Sequence, residues 1–488
     1  MWFDGPHSWR FDTEVNSFGR ALIFACIAIP AVAQSPTRVV FRASVKAVLD
    51  GGVLELTDGR KVGLQGVTLP SAAVRTIGFA NELKKALSEA VRAAGDQVWI
   101  TPDTGKQLGV DLVASVRAGK DGKSINEQLL ERGLAVFTCR TPGAIDLSAL
   151  SSAARRAQEN KAGWFKASAA RRLVKLPYLN GAVIGLHHQD KRTYHRQVDE
   201  LAAAGFRHLC LLFSVFVQKV DSVEIRRDHQ RTVRDDRLIE TIVYAKKKGL
   251  SLALLPIVLI LDPGDDDWRG VLRPKDEDKW WQNYDRFVAH YADISEHTGV
   301  DLLSIGSELG SLEDRTATWQ RIIKNTRGRY RGNITYSANW DHADKPKFFK
   351  QLDIVGMTAY FSLTKKMDPT IAELEAEWRR VAEEVQKTHA WHGRPIFFTE
   401  LGYASQNGIN RDPWNYTMDV DDIDLQEQAD CFKAFINVAP SIKILKGAYF
   451  YDYYDVGGKE DWSYSPRGKP AMAVWREWAK RVDAGDRR

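Results

Sequence analysis

Two glutamates end apolar runs in this chain. Glu308 lies in LLSIGSELGS (Leu302–Ser311) and Glu400 in PIFFTELGYAS (Pro395–Ser405). A run of Leu, Ile and Phe is suited to burial, and a carboxylate at its end carries a desolvation cost unless something there uses or pairs the charge. Either glutamate alone would serve as a solvated cap or a salt-bridge partner. Two that face each other support hydrolysis of a glycosidic bond. At about 5–5.5 Å one attacks and the other shuttles the proton, with retention; at about 6.5–9.5 Å a water fits between them and the configuration inverts.

The elements that would position them extend from Asn180 to about Arg481. Apolar segments at 181–187, 208–215, 251–258, 302–308, 333–339, 353–360, 395–401 and 446–454 read as strands. Between them lie amphipathic stretches such as TYHRQVDELAAAG, RDDRLIETIVYAKKKG and WQNYDRFVAHYADISEHTG, closing on Gly205, Gly249 and Gly299, where a left-handed cap favours glycine. Eight strands with helical crossovers over some 300 residues predict an α/β fold, a (β/α)8 barrel. A doubly wound sheet fits less well, because no glycine-rich phosphate loop follows the first strand. In a barrel the site lies at the C-terminal ends of the strands. Glu308 then ends strand four and Glu400 strand seven, both directed at one cleft.

Other strand ends supply candidate binding groups. Tyr360 closes strand six, where it can donate to Glu400 or simply line the rim. Asn339, Trp340 and Asp341 close strand five, with Trp340 the candidate platform for the apolar face of a sugar. His187 and His188 close strand one; either could bond a hydroxyl, and either could equally be structural. The 11 histidines are scattered without paired spacing, so no metal and no cofactor are expected. The 15 Trp and 15 Tyr suit carbohydrate binding, although core packing accounts for most such residues.

The net charge of +6 and pI near 8.9 come from dispersed basic residues interleaved with acids, so no nucleic-acid partner is expected. Arg20 followed by ALIFACIAIPAVA reads as a secretory signal cleaved after Ala33, too short to span a bilayer. The mixed-charge stretch Met1–Gly19 ahead of it is long for a leader, and the true start is expected downstream. This predicts a secreted or periplasmic protein with no membrane span after cleavage. Cys139, Cys210 and Cys431 would remain, an odd number without metal spacing, and they imply no disulfide framework. The oligomeric state is left open.

Residues 38–166 form a separate unit, joined by a linker at 167–179. VVFRASVKAVL, VLEL and KVGLQGV, separated by Asp50-Gly51-Gly52 and Asp58-Gly59, read as a small antiparallel barrel, followed by helices at INEQLLERGLAVF and LSALSSAARRAQENKAGWF, the latter ending at Gly163. On these motifs the segment resembles the thermonuclease (staphylococcal nuclease-like) domain, an OB-type barrel. Where that family carries its metal-binding Asp, Arg, Asp, Glu and second Arg, this chain has Gly52, Gly63, Thr68, Ser71 and Gln107. The resemblance therefore implies a degenerate domain without nuclease chemistry, and a null calcium titration would close the phosphodiesterase reading.

Residues 180–480 resemble glycoside hydrolase family 113 in TVRDDRLIETIVYAKKKGL, DWRGVL, WWQNYDRFVAHYA, SIGSELGSLE, GNITYSANWD, LDIVGMTAYF and PIFFTELGYAS. The resemblance implies a retaining endo-β-1,4-mannanase-like enzyme acting on a polysaccharide or oligosaccharide. Glu308 would be the acid/base and Glu400 the nucleophile, with Trp268 and Arg269 lining the cleft. Glu308 would need a raised pKa, which an apolar strand and the like charge of Glu400 would supply. Strand eight reads YFYDYYD where the family carries tryptophan near Phe450–Tyr451, and strand three ends LLPIV without the lysine expected before the proline. Both departures, Tyr451 included, bear on sugar contacts and hence on mannan specificity. The competing expectation is a polysaccharide-binding protein whose barrel has lost turnover.

Overall fold

The computed structural model describes residues 40–49, 52–68, 79–103, 110–137, 148–160, 162–163, 178–188, 190–228, 230–415 and 421–485. The signal segment 1–33, most of the linker, Cys139, Ser71 and Gln107 lie outside the described residues.

Short strands with glycine turns close first into a small barrel. Strands β1 (Phe41–Leu49), β2 (Val53–Leu56) and β3 (Lys61–Leu64) form its first face. After β4 (Val67–Thr68) and helix α1 (Phe79–Ala93), strands β5 (Gln97–Asp103) and β6 (Leu112–Arg117) complete the order β1-β2-β3-β6-β5. Helix α2 (Ile125–Glu131) is capped by the Ser124 side chain on the Glu127 amide. β7 (Val136–Phe137) pairs with β4, and α3 (Ser148–Glu159) stops at Glu159, four residues before the glycine that the sequence suggested. Two of the five barrel strands, β5 and β6, were not evident in the sequence. Leu54, Leu56, Val62, Val98, Ile100, Ala114 and Val116 fill this barrel's own core.

The rest of the chain builds a closed barrel of eight parallel strands: β8 (Leu179–Gly185), β9 (His208–Val217), β10 (Ser251–Ile260), β11 (Leu302–Ser307), β12 (Asn333–Asn339), β13 (Val355–Thr358), β14 (Ile396–Leu401) and β15 (Leu445–Phe450). Helices α4 (Lys191–Ala204), α5 (Asp235–Lys247), α6 (Glu277–Thr298), α7 (Thr316–Arg327), α8 (Ile371–His392), α9 (Leu425–Val438) and α10 (Ala471–Gly485) surround it. Continuous apolar runs become strands here because both faces are covered: every residue of β8 and β9 is buried. Alternate side chains divide into an inner cluster (Val183, Cys210, Leu212, Leu255, Leu302, Phe397, Tyr449) and an outer one against the helices (Ile184, Leu209, Leu211, Leu303, Phe398). Gly205, Gly249 and Gly299 all take positive φ where their helices end.

The seam that closes the barrel depends on one glycine. Gly447 pairs with Leu179 at φ +116°, and a Cβ there would lie 2.2 Å from the Leu179 carbonyl oxygen. Gly447→Ala combines left-handed strain with a backbone clash. Its expected effect is a fall of about 3 kcal/mol or more in stability, seen as a drop of several degrees in thermal midpoint; an unchanged midpoint would show that the seam yields freely.

Candidate active site

Strict alternation does not bring the two glutamates to the interior; two irregularities do. On β14, Phe397 faces inward and Phe398 outward, and the pairing with β13 then slips so that Thr358 lies beside Glu400 instead of Thr399. This bulge leaves Thr399 bonded to the Ser337 hydroxyl on β12 and still turns Glu400 inward. On β11 the register shifts between Ser304 and Ser307, and a Cβ on Gly306 would meet the outer residues Tyr284 and Tyr336. Glu308 follows at φ +51°, with its amide donating to the Ser337 carbonyl at 2.8 Å. That left-handed turn, uncommon for a residue with a side chain, swings its carboxylate over the barrel mouth.

Thr358 joins the pair. Beside Glu400 on the neighbouring strand, it donates its hydroxyl proton to Glu308 Oε1 at 2.7 Å. The other oxygen, Oε2, accepts from Arg269 Nη2, which reaches across from a short 3-10 turn after β10. Glu400 Oε2 accepts from the Tyr360 hydroxyl at 3.0 Å, while its Oε1 has no partner. Both carboxylates are enclosed: Glu308 shows no exposed surface and Glu400 only 2 %. The sequence placed both at one cleft, where a substrate would reach them. The Arg269 guanidinium, itself 6 % exposed, accounts for part of the difference by covering Glu308.

Electrostatics also depart from expectation. Burial, and then the like charge of Glu308, push the Glu400 carboxyl up to about 7, against smaller opposing effects of Arg269 and the Tyr360 hydroxyl. Glu308, the acid/base candidate, meets the Arg269 guanidinium. Burial and the Glu400 charge also push up Asp452, whose Oδ1 accepts from the Gly185 amide at 3.2 Å.

The remaining sequence candidates divide between cleft and scaffold. His187 is exposed at the end of β8, its ring lying against Gly185. Trp340 is half-buried, stacked 6.0 Å from Trp414 and tilted against Phe361 at 5.2 Å. Tyr451, also half-buried, packs edge-on to Tyr360 at 6.2 Å. Trp268 is half-buried, its ring lying against Gly270. Others are engaged locally: His188 Nδ1 accepts from the Asp190 amide at 3.1 Å while its ring stacks on Tyr194. Asn339 Oδ1 accepts from the Trp340 amide at 2.9 Å, and Asp341 is exposed and paired with His342. Arg269 serves Glu308 rather than standing free for a sugar. Sequence reasoning missed Thr358, Asp452 and Trp414. Thr358 could have been found as a polar residue at an inward position of an apolar strand; Trp414 sits in a loop without periodicity.

A closed eight-stranded parallel barrel with two carboxylates converging at its C-terminal mouth defines the architecture of a TIM-barrel glycoside hydrolase. Residues 184–464, over half of the chain, match the model of Glycoside Hydrolase Family 113, and the protein belongs to that family. Among solved structures it is similar to a family 113 β-mannanase from Alicyclobacillus acidocaldarius, at 25 % identity and a TM-score of 0.56, over 63 % of this chain and 99 % of that one. A further family 113 β-1,4-mannanase structure matches at 23 % identity and a TM-score of 0.54, over 62 % and 99 % of the two chains. No curated protein matches. The matched segment leaves the small N-terminal barrel outside, and no described helix is long and apolar enough to cross a membrane.

Proposed function

We propose that the protein is an exported retaining β-glycoside hydrolase, endo-acting on a β-mannan or a related β-linked polysaccharide. The observation that carries this reading is the convergence of Glu308 and Glu400 on Thr358, inside a barrel of family 113. Glu400, ionised, attacks the anomeric carbon while Tyr360 holds its Oε2; Glu308 protonates the leaving oxygen and then deprotonates the incoming water. Two interacting carboxyls titrate as a pair, so the pH profile reports the pair rather than either residue. Arg269 must leave Glu308 as the sugar enters, because a carboxylate held by a guanidinium is a poor proton donor. Trp340, flanked by Trp414, offers the stacking surface. The small N-terminal barrel, lacking the charged residues of a nuclease, serves as an ancillary module, and the apolar segment before Ala33 directs export.

The test is a polysaccharide panel read out by released oligosaccharides, with Glu308→Gln and Glu400→Gln as controls. Activity that survives both substitutions would overturn the reading. On the substrate so identified, Trp340→Ala is expected to raise KM about tenfold with little change in kcat, the loss of one stacking contact worth about 1–1.5 kcal/mol. Equal losses in kcat and kcat/KM would show that the ring contacts only the transition state.

The enclosure of both carboxylates favours one alternative, a polysaccharide-binding protein that no longer turns over. That reading expects binding unchanged in Glu400→Ala and no reducing ends released by the wild type.

A further inference from the structure

Behind the loop that carries Glu308 lies a buried polar chain with no part in the chemistry above. The Leu309 amide, one residue past Glu308, donates to the Tyr336 hydroxyl at 2.8 Å. Tyr336 in turn donates to Glu313 Oε1 at 2.7 Å. Glu313 Oε2 faces His342 Nε2 at 3.5 Å, and His342 Nδ1 pairs with Asp341 on the surface. The chain spans a buried tyrosine on β12, a buried glutamate five residues beyond Glu308 and a half-buried histidine after β12. Tyr336 cannot shift easily: Trp319 packs edge-on to it at 5.1 Å and Phe348 at 5.3 Å. Glu308 is also the one non-glycine residue with positive φ among the described residues of the large barrel. A backbone in that state persists only when its surroundings over-determine it.

We propose that Glu313, held between Tyr336 and His342, is a positioning residue that fixes the Leu309 amide and with it the turn that aims Glu308 into the cleft. The inference rests on Glu308 being the acid/base, and it deepens that assignment. A carboxylate buried beside the active site is expensive to maintain, which argues for a task no apolar side chain would perform. Burial pushes Glu313 up to about 7, with the His342 cation and the Tyr336 hydroxyl opposing and the charges of Glu308 and Asp341 adding to the rise. His342 is raised in its turn, first by Asp341, then by the charge of Glu313, with burial and Lys345 opposing. The two partners favour each other's charged forms, which holds the chain together.

The experiment follows hydrogen exchange at the Leu309 amide together with steady-state kinetics on the polysaccharide found by the panel. The proteins compared are wild type, Tyr336→Phe, Glu313→Gln and Glu313→Leu, with Glu308→Gln alongside. Tyr336→Phe and Glu313→Leu are expected to speed exchange at least about tenfold and to lower kcat about 10- to 100-fold with KM nearly constant, the cost of a small misplacement of the acid/base. Glu313→Gln keeps an oxygen acceptor for the Tyr336 hydroxyl and is expected to stay within about threefold of wild type in both measurements. Rescue by Gln but not Leu separates positioning from mere packing. Unchanged exchange in Tyr336→Phe overturns the proposal whatever the kinetics show, as does an equal kcat loss in all three variants. Failure of the enzyme reading shows differently: wild type and Glu308→Gln would be equally inert, and the exchange arm would still decide the positioning role.

Discussion

On the proposed mechanism Glu400→Gln is expected to leave less than about one part in 10⁴ of wild-type turnover on every substrate, because without the carboxylate no glycosyl-enzyme would form. Glu308→Gln behaves differently. On a polysaccharide, whose leaving group needs a proton, it loses about 10²–10⁴ of the rate. On an aryl glycoside with a strongly acidic phenol, departure needs no proton, so glycosylation proceeds and the glycosyl-enzyme accumulates. Azide, which attacks without a base, then restores turnover of Glu308→Gln and yields the azide with retained configuration. No azide product of retained configuration forms in Glu400→Gln, since retention requires two displacements. Tyr360→Phe adds a smaller step: the hydroxyl stands 3.0 Å from Glu400 Oε2, and its loss lowers kcat about tenfold while the fold stays intact. If Glu308→Gln lost equally on both substrates, or if azide trapped the Glu400 variant with retention, the assigned roles would be exchanged or wrong.

How much of this was legible follows from what each element buries. The eight large-barrel strands could be read directly, because a strand covered on both faces must be apolar throughout, as β9 is over all ten residues. β5 and β6 in the small barrel were not, because QVWITPD and LVASVR mix polar with apolar residues in short runs that no period distinguishes from a loop. Glu308 and Glu400 stood out for the same reason the strands did, as charges where burial should end. Their aim was not legible. Alternation places Glu400 on the outer face, beyond Phe398 by two, and only the bulge at Thr399 reverses it. A bulge depends on the neighbouring strand, so one strand's sequence does not display it. The Arg269 partnership joins a loop to a strand end 39 residues later, and nothing in either segment announces it. Burial of the two carboxylates was likewise invisible, since it arises from residues such as Arg269 folding over the mouth.

The raised carboxyl of Glu400 has a consequence for the whole fold that needs no substrate to measure. In the unfolded chain the group titrates near its ordinary 4.5; in the folded protein it holds its proton up to about 7. Between those values the folded state binds more protons than the unfolded one, so stability falls as pH rises. The contribution is fully present below pH 4.5, is lost through the window up to about 7 and is absent above it. Glu400→Gln cannot ionise and escapes this loss. Its stability relative to wild type is therefore expected to climb between pH 4.5 and 8, read as a widening difference in denaturation midpoint. Glu313, also raised by burial, does not feel the Glu400 charge and cancels in the comparison to first order, whereas Asp452 is raised in part by that charge and is relieved in the variant, which acts in the same direction. A difference that stays flat across the window would show that Glu400 ionises freely in the fold; one that shrinks would show that Arg269 governs it more than burial does. The expected sign matters for the proposed mechanism, in which Glu400 must be ionised at the working pH to attack. A site that resists ionising Glu400 is least stable in the state that reacts, and a sugar that relieves that strain by drawing the proton to Glu308 would be bound more tightly as the reaction begins.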